Sequence, residues 1–256
     1  MHFRPRVGFV SLALACWGLG AAAQAAELTV SAAISLKAAF GEIAVQFEKG
    51  HPGDNIHFNF AASGELSQQI ERGAPVDVFA SAALKQMNDL GKKGLLLAGT
   101  NQPFARNRLV VVVPKGQAKV TSFEQLSQLS RLTIGNPKTV PAGQYAAEAL
   151  TRAGIYDTLL ASQKIVFSEN VRQALAYIED GNVDAGIVYV TDARTSQKVS
   201  VGFAVPANYS EPVIYPIAVV QDSKQPNLAR AFVTFVLSAR GQEILQSKGF
   251  LGASKK

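Results

Sequence analysis

Residues 28–49 read LTVSAAISLKAAFGEIAVQFEK and join a predicted β-strand to a predicted α-helix through a loop of small residues. Residues 28–31 favour a strand, and the apolar positions that follow have near-helical spacing over residues 35–49. A strand that feeds a helix through a short loop is the repeating unit of α/β proteins. The apolar helical positions are Leu36, Phe40, Ile43, Ala44 and Phe47.

The same alternation of strand and helix patterns continues to the end of the chain and predicts an α/β protein with mainly parallel sheets. The run Leu109-Val110-Val111-Val112-Val113 is continuously apolar, which is typical of a strand buried on both faces of a parallel sheet. Strands are predicted at residues 28–31, 56–60, 76–81, 109–113, 132–135, 164–167, 185–190, 200–205 and 213–220. Helices are predicted at residues 35–49, 65–72, 84–92, 144–153, 171–181, 228–237 and 240–248.

Two turn-rich breaks, at residues 103–108 and 206–212, predict that the chain forms two lobes. If the chain crosses between lobes at both breaks, lobe one comprises residues 26–105 plus 212–256. Lobe two then comprises residues 106–211. Both lobes fall within the usual size range of a domain.

The composition excludes several classes of protein. The 256 residues are 48% hydrophobic and 17% charged, which excludes a disordered chain. The net charge of +6 raises the question of nucleic-acid binding. However, the basic residues are scattered and no basic stripe adjoins an aromatic platform, so we expect no nucleic-acid partner.

Residues 1–25 have the pattern of a secretory signal peptide. Arg4 and Arg6 precede an apolar stretch, and small residues lead to a predicted cleavage site after Ala25. Cleavage would remove the only cysteine, Cys16, and leave a net charge of +4, which suits a protein of the periplasm. The alternatives are a retained membrane anchor and lipid attachment at Cys16.

Signatures of catalysis and of metal binding are missing from the sequence. It contains no G-x-S-x-G, H-E-x-x-H, Walker A or G-x-G-x-x-G motif. His51 and His57 flank a polar turn and are predicted to be solvated. We therefore expect a protein that is not an enzyme, with no cofactor and no direct metal ligands.

Five loops share one arrangement, in which small or hydroxyl residues follow a strand and precede a helix. The carboxyl ends of strands line the ligand crevice of open α/β sheets, and helix N-termini placed there present unpaired N–H groups to an anion. None of the loops begins with Lys or Arg, so the predicted site contains neutral donors, which suit a fully deprotonated tetrahedral dianion. The simpler interpretation is that these residues are ordinary helix caps. The loops are residues 32–36, 61–65, 140–144, 168–172 and 186–190.

At these residues the sequence resembles the periplasmic molybdate-binding proteins of molybdate ABC transporters, over about residues 28–251. The resemblance implies a type II periplasmic-binding-protein fold, whose two lobes close on molybdate or tungstate in the cleft between them. Its partners would be the oxyanion and a membrane permease, and we expect a monomer. The matching stretches are SAAISL (31–36), FAAS (60–63), GAPVDVFASA (73–82), NRLVVVVP (107–114), VPAGQYA (140–146), ENVRQAL (169–175), GIVY (186–189) and YPIAVV (215–220).

The resemblance also implies a role for five residues. Ser35 and Ser63 would supply hydroxyl and backbone donors, Ala142 and Val171 backbone N–H groups, and Tyr189 its phenol. Gly64 and Glu65 depart from the family pattern, where Ser and Thr are common. Glu65 is expected to face solvent, and Asp77 is expected to have a structural role.

Several alternatives remain open at this point. A receptor for sulfate or another tetrahedral anion differs from the leading interpretation only in cavity size. A secreted hydrolase would use Ser35 or Ser63, although no base is apparent near either serine in the sequence. A ferric-ion receptor lacks the expected tyrosine pair, and a sensory regulator would need a DNA-binding segment.

Overall fold

The computed structural model describes residues 26–253. The predicted signal peptide, its cleavage site and Cys16 lie outside the described residues, as do Lys255 and Lys256. Within residues 26–253, every helix is too short or too polar to span a bilayer.

The described chain alternates between strands and helices, as the sequence predicts. The strands are β1 (Glu27–Ala33), β2 (Asn55–Ala61), β3 (Val78–Ala80), β4 (Gln102–Asn107), β5 (Leu109–Pro114), β6 (Leu132–Gly135), β7 (Ile165–Ser168), β8 (Ala185–Tyr189), β9 (Val199–Ala204), β10 (Val213–Val219) and β11 (Leu251–Gly252). The helices are α1 (Lys37–Gly50), α2 (Ser63–Glu71), α3 (Leu84–Lys92), α4 (Phe123–Gln128), α5 (Pro141–Arg152), α6 (Tyr156–Ala161), α7 (Val171–Glu179), α8 (Val190–Ala193), α9 (Pro226–Leu237) and α10 (Ala239–Ser247). Short 3₁₀ turns occur at Ile34–Leu36 and Ala207–Tyr209.

The strands form two mixed sheets. The first has the order β11-β4-β10-β3-β1-β2, in which β1 is parallel to both β2 and β3. Strand β10 is antiparallel to β3 and β4. The second sheet has the order β7-β6-β8-β5-β9, with β6 parallel to β7 and β8. This is the predicted α/β architecture with two sheets and flanking helices. The sheets are mixed rather than mainly parallel, since five of the nine strand pairings in the described chain are antiparallel.

Residues 109–113 were expected to pair with parallel neighbours, and this expectation is wrong. Strand β5 is antiparallel to both of its neighbours, β8 and β9. Its side chains are buried at every position from Leu109 to Val113, as the sequence predicts. An apolar run therefore reports that both faces are covered, whereas the direction of the neighbouring strands is set by the connections.

The chain passes between the two sheets twice. Strand β4 of the first sheet ends at Asn107, and β5 of the second sheet begins at Leu109, so Arg108 alone separates them. The return runs through residues 205–212, from β9 to β10. Residues 102–107, predicted in part as a turn-rich break, form β4 instead. The prediction missed this strand because exposed and buried positions do not alternate regularly along β4. The lobe boundaries at residues 105/106 and 211/212 stay a prediction.

The first sheet packs against α1 and α9 through an aromatic cluster. Phe40 and Phe47 of α1 make edge contacts with Phe232 of α9, at centroid distances of 5.9 and 5.4 Å. Phe40 also lies 5.8 Å from Phe104 of β4. Edge-to-face pairs of buried rings stabilise a core beyond the area they bury. The cluster fixes α1, and with it the preceding 3₁₀ turn, against the sheet.

Asp77, which immediately precedes β3, joins three segments of the first sheet. One carboxylate oxygen accepts a hydrogen bond from the Thr29 N–H at 2.8 Å. The other accepts bonds from the Ser223 hydroxyl at 2.6 Å and from the N–H groups of Lys224 and Gln225. Asp77 therefore ties β1 to the loop that leads into α9. This is the structural role expected from the sequence.

We predict that Asp77→Ala lowers the free energy of unfolding by about 3 kcal/mol, because several donors lose a charged acceptor in a buried place. Urea-induced unfolding followed by circular dichroism measures this change. Asp222→Ala is the matched control, since Asp222 is exposed in the same loop and its loss should change stability by at most ~0.5 kcal/mol. Equal effects of the two substitutions would contradict the role given to Asp77.

Candidate functional site

A small cavity lies between the two sheets and brings together all five predicted binding residues. It has about 10 Å³ of free volume, which is close to the space that one water molecule needs and excludes an extended organic ligand. The first sheet and its loops line one side, and the second sheet lines the other. The lining residues are Ala33, Ile34, Ser35, Ala61, Ala62, Ser63, Ala82, Val140, Pro141, Ala142, Val171 and Tyr189.

Ser35 reaches the cavity from the 3₁₀ turn that joins β1 to α1. The turn follows directly on Ala33, the last residue of β1, so the hydroxyl stands at the carboxyl end of the strand. Ser35 is 4% exposed. Its hydroxyl lies 3.0 Å from the hydroxyl of Tyr215, on β10. The Ser35 hydroxyl, the predicted donor, is thus hydrogen-bonded to a second buried hydroxyl.

Ser63 is the first residue of α2 and is fully buried. Its hydroxyl oxygen accepts a hydrogen bond from the Ala82 N–H at 3.0 Å. The next N–H, that of Gly64, donates to the Thr139 carbonyl at 2.9 Å and so connects the two sides of the cavity. A Cβ at position 64 would lie 2.4 Å from that oxygen, so the two backbones can approach this closely only because residue 64 is glycine. Glu65 is exposed, as expected.

Ala142 lies in the first turn of α5, where backbone N–H groups have no partner within the helix. Proline occupies position 141 at the helix start, where its missing N–H costs nothing. The N-terminus of α5 is held close to β6, because a Cβ on Gly143 would lie 1.9 Å from the Gly135 carbonyl oxygen. Only glycine at position 143 permits this packing, which places the Ala142 N–H at the cavity.

Val171 opens α7, and the residue before it caps the helix. The Asn170 side chain accepts hydrogen bonds from the N–H groups of Arg172 and Gln173, both at 3.0 Å. This is the usual role of an asparagine N-cap. The cap therefore occupies the second and third N–H groups of the helix and leaves that of Val171 at the cavity wall. Asn170 is the helix cap and Val171 is the proposed donor. A capping role for this loop and a role in anion binding are therefore compatible.

Tyr189, the last residue of β8, is 1% exposed. Its hydroxyl makes no hydrogen bond of normal geometry within the described part of the chain. Its ring packs at 60° to that of Tyr215, with centroids 5.8 Å apart. Burial raises the pKa of Tyr189 well above its usual value of 10. The phenol therefore stays protonated and is a hydrogen-bond donor at the cavity.

Three buried polar residues around the cavity were missed by the sequence reasoning, namely Tyr215, Asn107 and Asp192. The Asn107 amide nitrogen donates to Tyr215 Oη at 3.2 Å and to Thr191 Oγ1 at 2.9 Å. Asn107 ends β4, Tyr215 lies in β10 and Thr191 follows β8, so this network spans both sheets. Partners more than 80 residues apart leave no spacing signal in a single sequence.

Asp192 forms a buried ion pair behind the cavity. It is fully buried in α8, three residues after Tyr189, and its Oδ1 lies 2.7 Å from Arg172 Nε. Burial raises the pKa of Asp192 to about 6, although the Arg172 charge opposes this shift. Neither residue of the pair lines the cavity, so the lining carries no formal charge of its own.

The two histidines of the described chain, His51 and His57, lie away from the cavity. His51 stacks on Phe47, and His57 pairs with Glu27 at the start of β1. The cavity lies at the opposite, carboxyl ends of β1 and β2. Across residues 26–253, no three His, Cys, Asp or Glu side chains gather into a set that could hold a metal ion.

The raised pKa of Asp192 predicts a pH-dependent stability. The folded protein binds a proton at this carboxyl more tightly than the unfolded chain, in which the pKa is near 3.8. This contribution to stability is therefore fully present below pH 4 and is lost as the pH rises to about 6. From a shift of about two units, its size is about 3 kcal/mol.

Urea unfolding of the native chain and of Asp192→Asn between pH 4 and 7 isolates this effect as the difference between the two curves. Asp192→Asn removes the titrating group while it keeps the side-chain volume. If the difference stays constant across the range, Asp192 has a normal pKa.

Comparison with known proteins supports one family. The chain matches the bacterial extracellular solute-binding proteins over residues 28–251. It is 38% identical to a putative ABC transporter substrate-binding lipoprotein of Bacillus subtilis, YvgL, and the match covers 87% of this chain and 85% of that protein. It is 36% identical to the molybdate-binding protein ModA of Haemophilus influenzae, with 94% of this chain and 96% of that protein covered.

The fold is likewise similar to solved structures. The periplasmic molybdate-binding protein of Azotobacter vinelandii superimposes with a TM-score of 0.78 at 26% identity, over 88% of this chain and 98% of that one. The architecture of two sheets around one cavity, together with these matches, leads to one conclusion. The chain belongs to the family of bacterial extracellular solute-binding proteins.

Proposed function

We propose that this protein captures molybdate, or tungstate, in the cavity between the two sheets and delivers it to the membrane permease of an ABC transporter. The observation that carries the proposal is the convergence of Ser35, Ser63, Ala142, Val171 and Tyr189 on one small cavity. Relatives named for molybdate binding support the choice of ligand.

The chemistry of the lining supports a fully deprotonated oxyanion. Its polar groups are hydroxyls and first-turn N–H groups, and no carboxylate lines the cavity. Each hydrogen bond to a charged group contributes about 1.5–3 kcal/mol, so five such donors offset the cost of taking the dianion out of water. Helix N-termini add a favourable potential for negative charge.

Among the described residues, no general base contacts Ser35 or Ser63, as a hydrolytic role would require. The hydroxyl of Ser35 contacts Tyr215, and that of Ser63 contacts a backbone N–H, whereas His51 and His57 lie at the other end of β1 and β2. We therefore propose that the protein binds without catalysis. We also propose that it acts as a monomer, without a cofactor, after export and cleavage of residues 1–25.

Ligand binding predicts a thermal shift. Residues 26–256 should unfold at a higher temperature with molybdate or tungstate, since a ligand at 100 times its dissociation constant stabilises by about 2.7 kcal/mol. For a chain of this length the shift amounts to roughly 5–10 °C. Differential scanning fluorimetry with equal concentrations of molybdate, tungstate, sulfate and phosphate measures it. No shift with molybdate or tungstate would refute the proposal, and a shift with sulfate alone would select a sulfate receptor.

Substitution of the proposed binding residues should lower the affinity for molybdate without unfolding the protein. Ser35→Ala and Tyr189→Phe each remove one hydroxyl donor, so each should weaken molybdate binding roughly 10- to 100-fold, as measured by isothermal titration calorimetry. Ser162→Ala and Tyr156→Phe remove the same groups at the ends of α6, away from the cavity, and should bind like the native chain. Native affinity in both cavity variants would refute the site assignment.

A further inference from the structure

The hydroxyl of Ser35 is held by a chain of hydrogen bonds whose direction is fixed at its far end. The Arg108 N–H donates to Asn107 Oδ1 at 2.9 Å, which orients the Asn107 amide. Its nitrogen must then point the other way, and it donates to Tyr215 Oη at 3.2 Å and to Thr191 Oγ1 at 2.9 Å. Both amide hydrogens are thus committed, and Tyr215 Oη is an acceptor in this contact.

The phenol of Tyr215 has one hydrogen left to donate. Its other hydrogen-bonded partner in the described chain is Ser35 Oγ, at 3.0 Å. Tyr215 is fully buried, and its raised pKa, caused chiefly by burial, keeps the phenol protonated. If Ser35 were the donor instead, the Tyr215 hydrogen would have no acceptor of normal geometry among the described residues, because the neighbouring Tyr189 hydroxyl makes no such bond. An unpaired donor in a buried place is costly. The arrangement that satisfies every group has Tyr215 donate to Ser35.

This direction decides which part of the Ser35 hydroxyl faces the cavity. Its oxygen already accepts from Tyr215, so its own hydrogen remains for the cavity. Ser63 shows the same arrangement independently, because its oxygen accepts from the Ala82 N–H at 3.0 Å. Both serines therefore present a hydrogen inward while their oxygens are occupied from behind.

We propose that Tyr215 is a positioning residue that turns the Ser35 hydrogen toward the bound anion and so selects anions that carry no proton. The inference rests on the proposed function, since it concerns the same site. A deprotonated tetrahedral anion accepts every hydrogen bond that the cavity offers. A singly protonated anion of the same charge also has a hydrogen to donate. Each serine oxygen already has one of its two lone pairs occupied from behind, so the cavity offers that hydrogen a poorer acceptor.

A double-mutant cycle tests whether Tyr215 acts through Ser35. Tyr215→Phe keeps the ring and its contacts with Phe104 and Phe250, and it should weaken molybdate binding about tenfold. In the Ser35→Ala background the same substitution should have no further effect. Tyr189→Phe is the matched control, because it removes a different phenol from the cavity and its effect should persist in the Ser35→Ala background.

A second measurement separates a change in the direction of the Ser35 hydroxyl hydrogen from a loss of packing around residue 215. Sulfate and hydrogenphosphate have the same charge and differ by one proton, so the ratio of their affinities reports on the acceptor that the cavity offers. Both are measured by displacement of bound molybdate, at a pH at which phosphate is mostly the singly protonated dianion. In Tyr215→Phe the Ser35 oxygen is released, and the preference for sulfate should fall about tenfold. Damage to packing would weaken both anions equally.

The outcomes are distinguishable from those of the proposed function. A native chain that binds none of these anions contradicts the proposed function itself. A native chain that binds molybdate, with additive effects in the cycle and an unchanged sulfate preference, contradicts only the role of Tyr215. If Tyr215→Phe does not fold, as judged by thermal unfolding without ligand, Asn107→Ala takes its place. It removes the donor that orients Tyr215, and the sulfate preference should fall in the same direction.

Discussion

The structure depends on one constraint, which is that a buried donor needs an acceptor. The cavity between the sheets gathers donors that have no acceptor among the described residues, notably the Tyr189 hydroxyl and the N–H groups of Ala142 and Val171. Elsewhere the fold satisfies such groups locally, as Asn170 does for the N–H groups of Arg172 and Gln173. The contrast within a single loop marks the cavity as the place where a ligand is required.

The topology explains how these donors come from both halves of the molecule. Helices that follow strands begin at the carboxyl ends of those strands, and the two sheets turn these ends toward each other across the cavity. Small residues such as Gly64 and Gly143 allow the backbones to approach at distances that a Cβ would forbid. The proposed ligand is thus held by two parts of the chain that are joined only by the crossings at Arg108 and at residues 205–212.

The sequence predicted those residues of the cavity lining that lie in local motifs and missed the buried polar residues that do not. Ser35, Ser63, Ala142, Val171 and Tyr189 lie in short motifs at strand ends, where a few neighbouring letters carry the information. The direction of β5 was mistaken, because burial on both faces leaves the same apolar pattern whether neighbours are parallel or antiparallel. Tyr215 and Asp192 were missed because their roles come from partners that only the folded chain brings near.

The charge of the chain and the charge of the site are separate matters. The net charge of +6 belongs to scattered surface residues and the predicted leader, whereas the cavity lining carries no formal charge. Arg172, the cation nearest the proposed Val171 donor in sequence, is paired with Asp192. An unpaired cation would attract any anion with little regard to its protons. Neutral donors of fixed direction, in contrast, stabilise an anion only when each finds an acceptor, so selectivity in the proposed site follows from orientation rather than from charge.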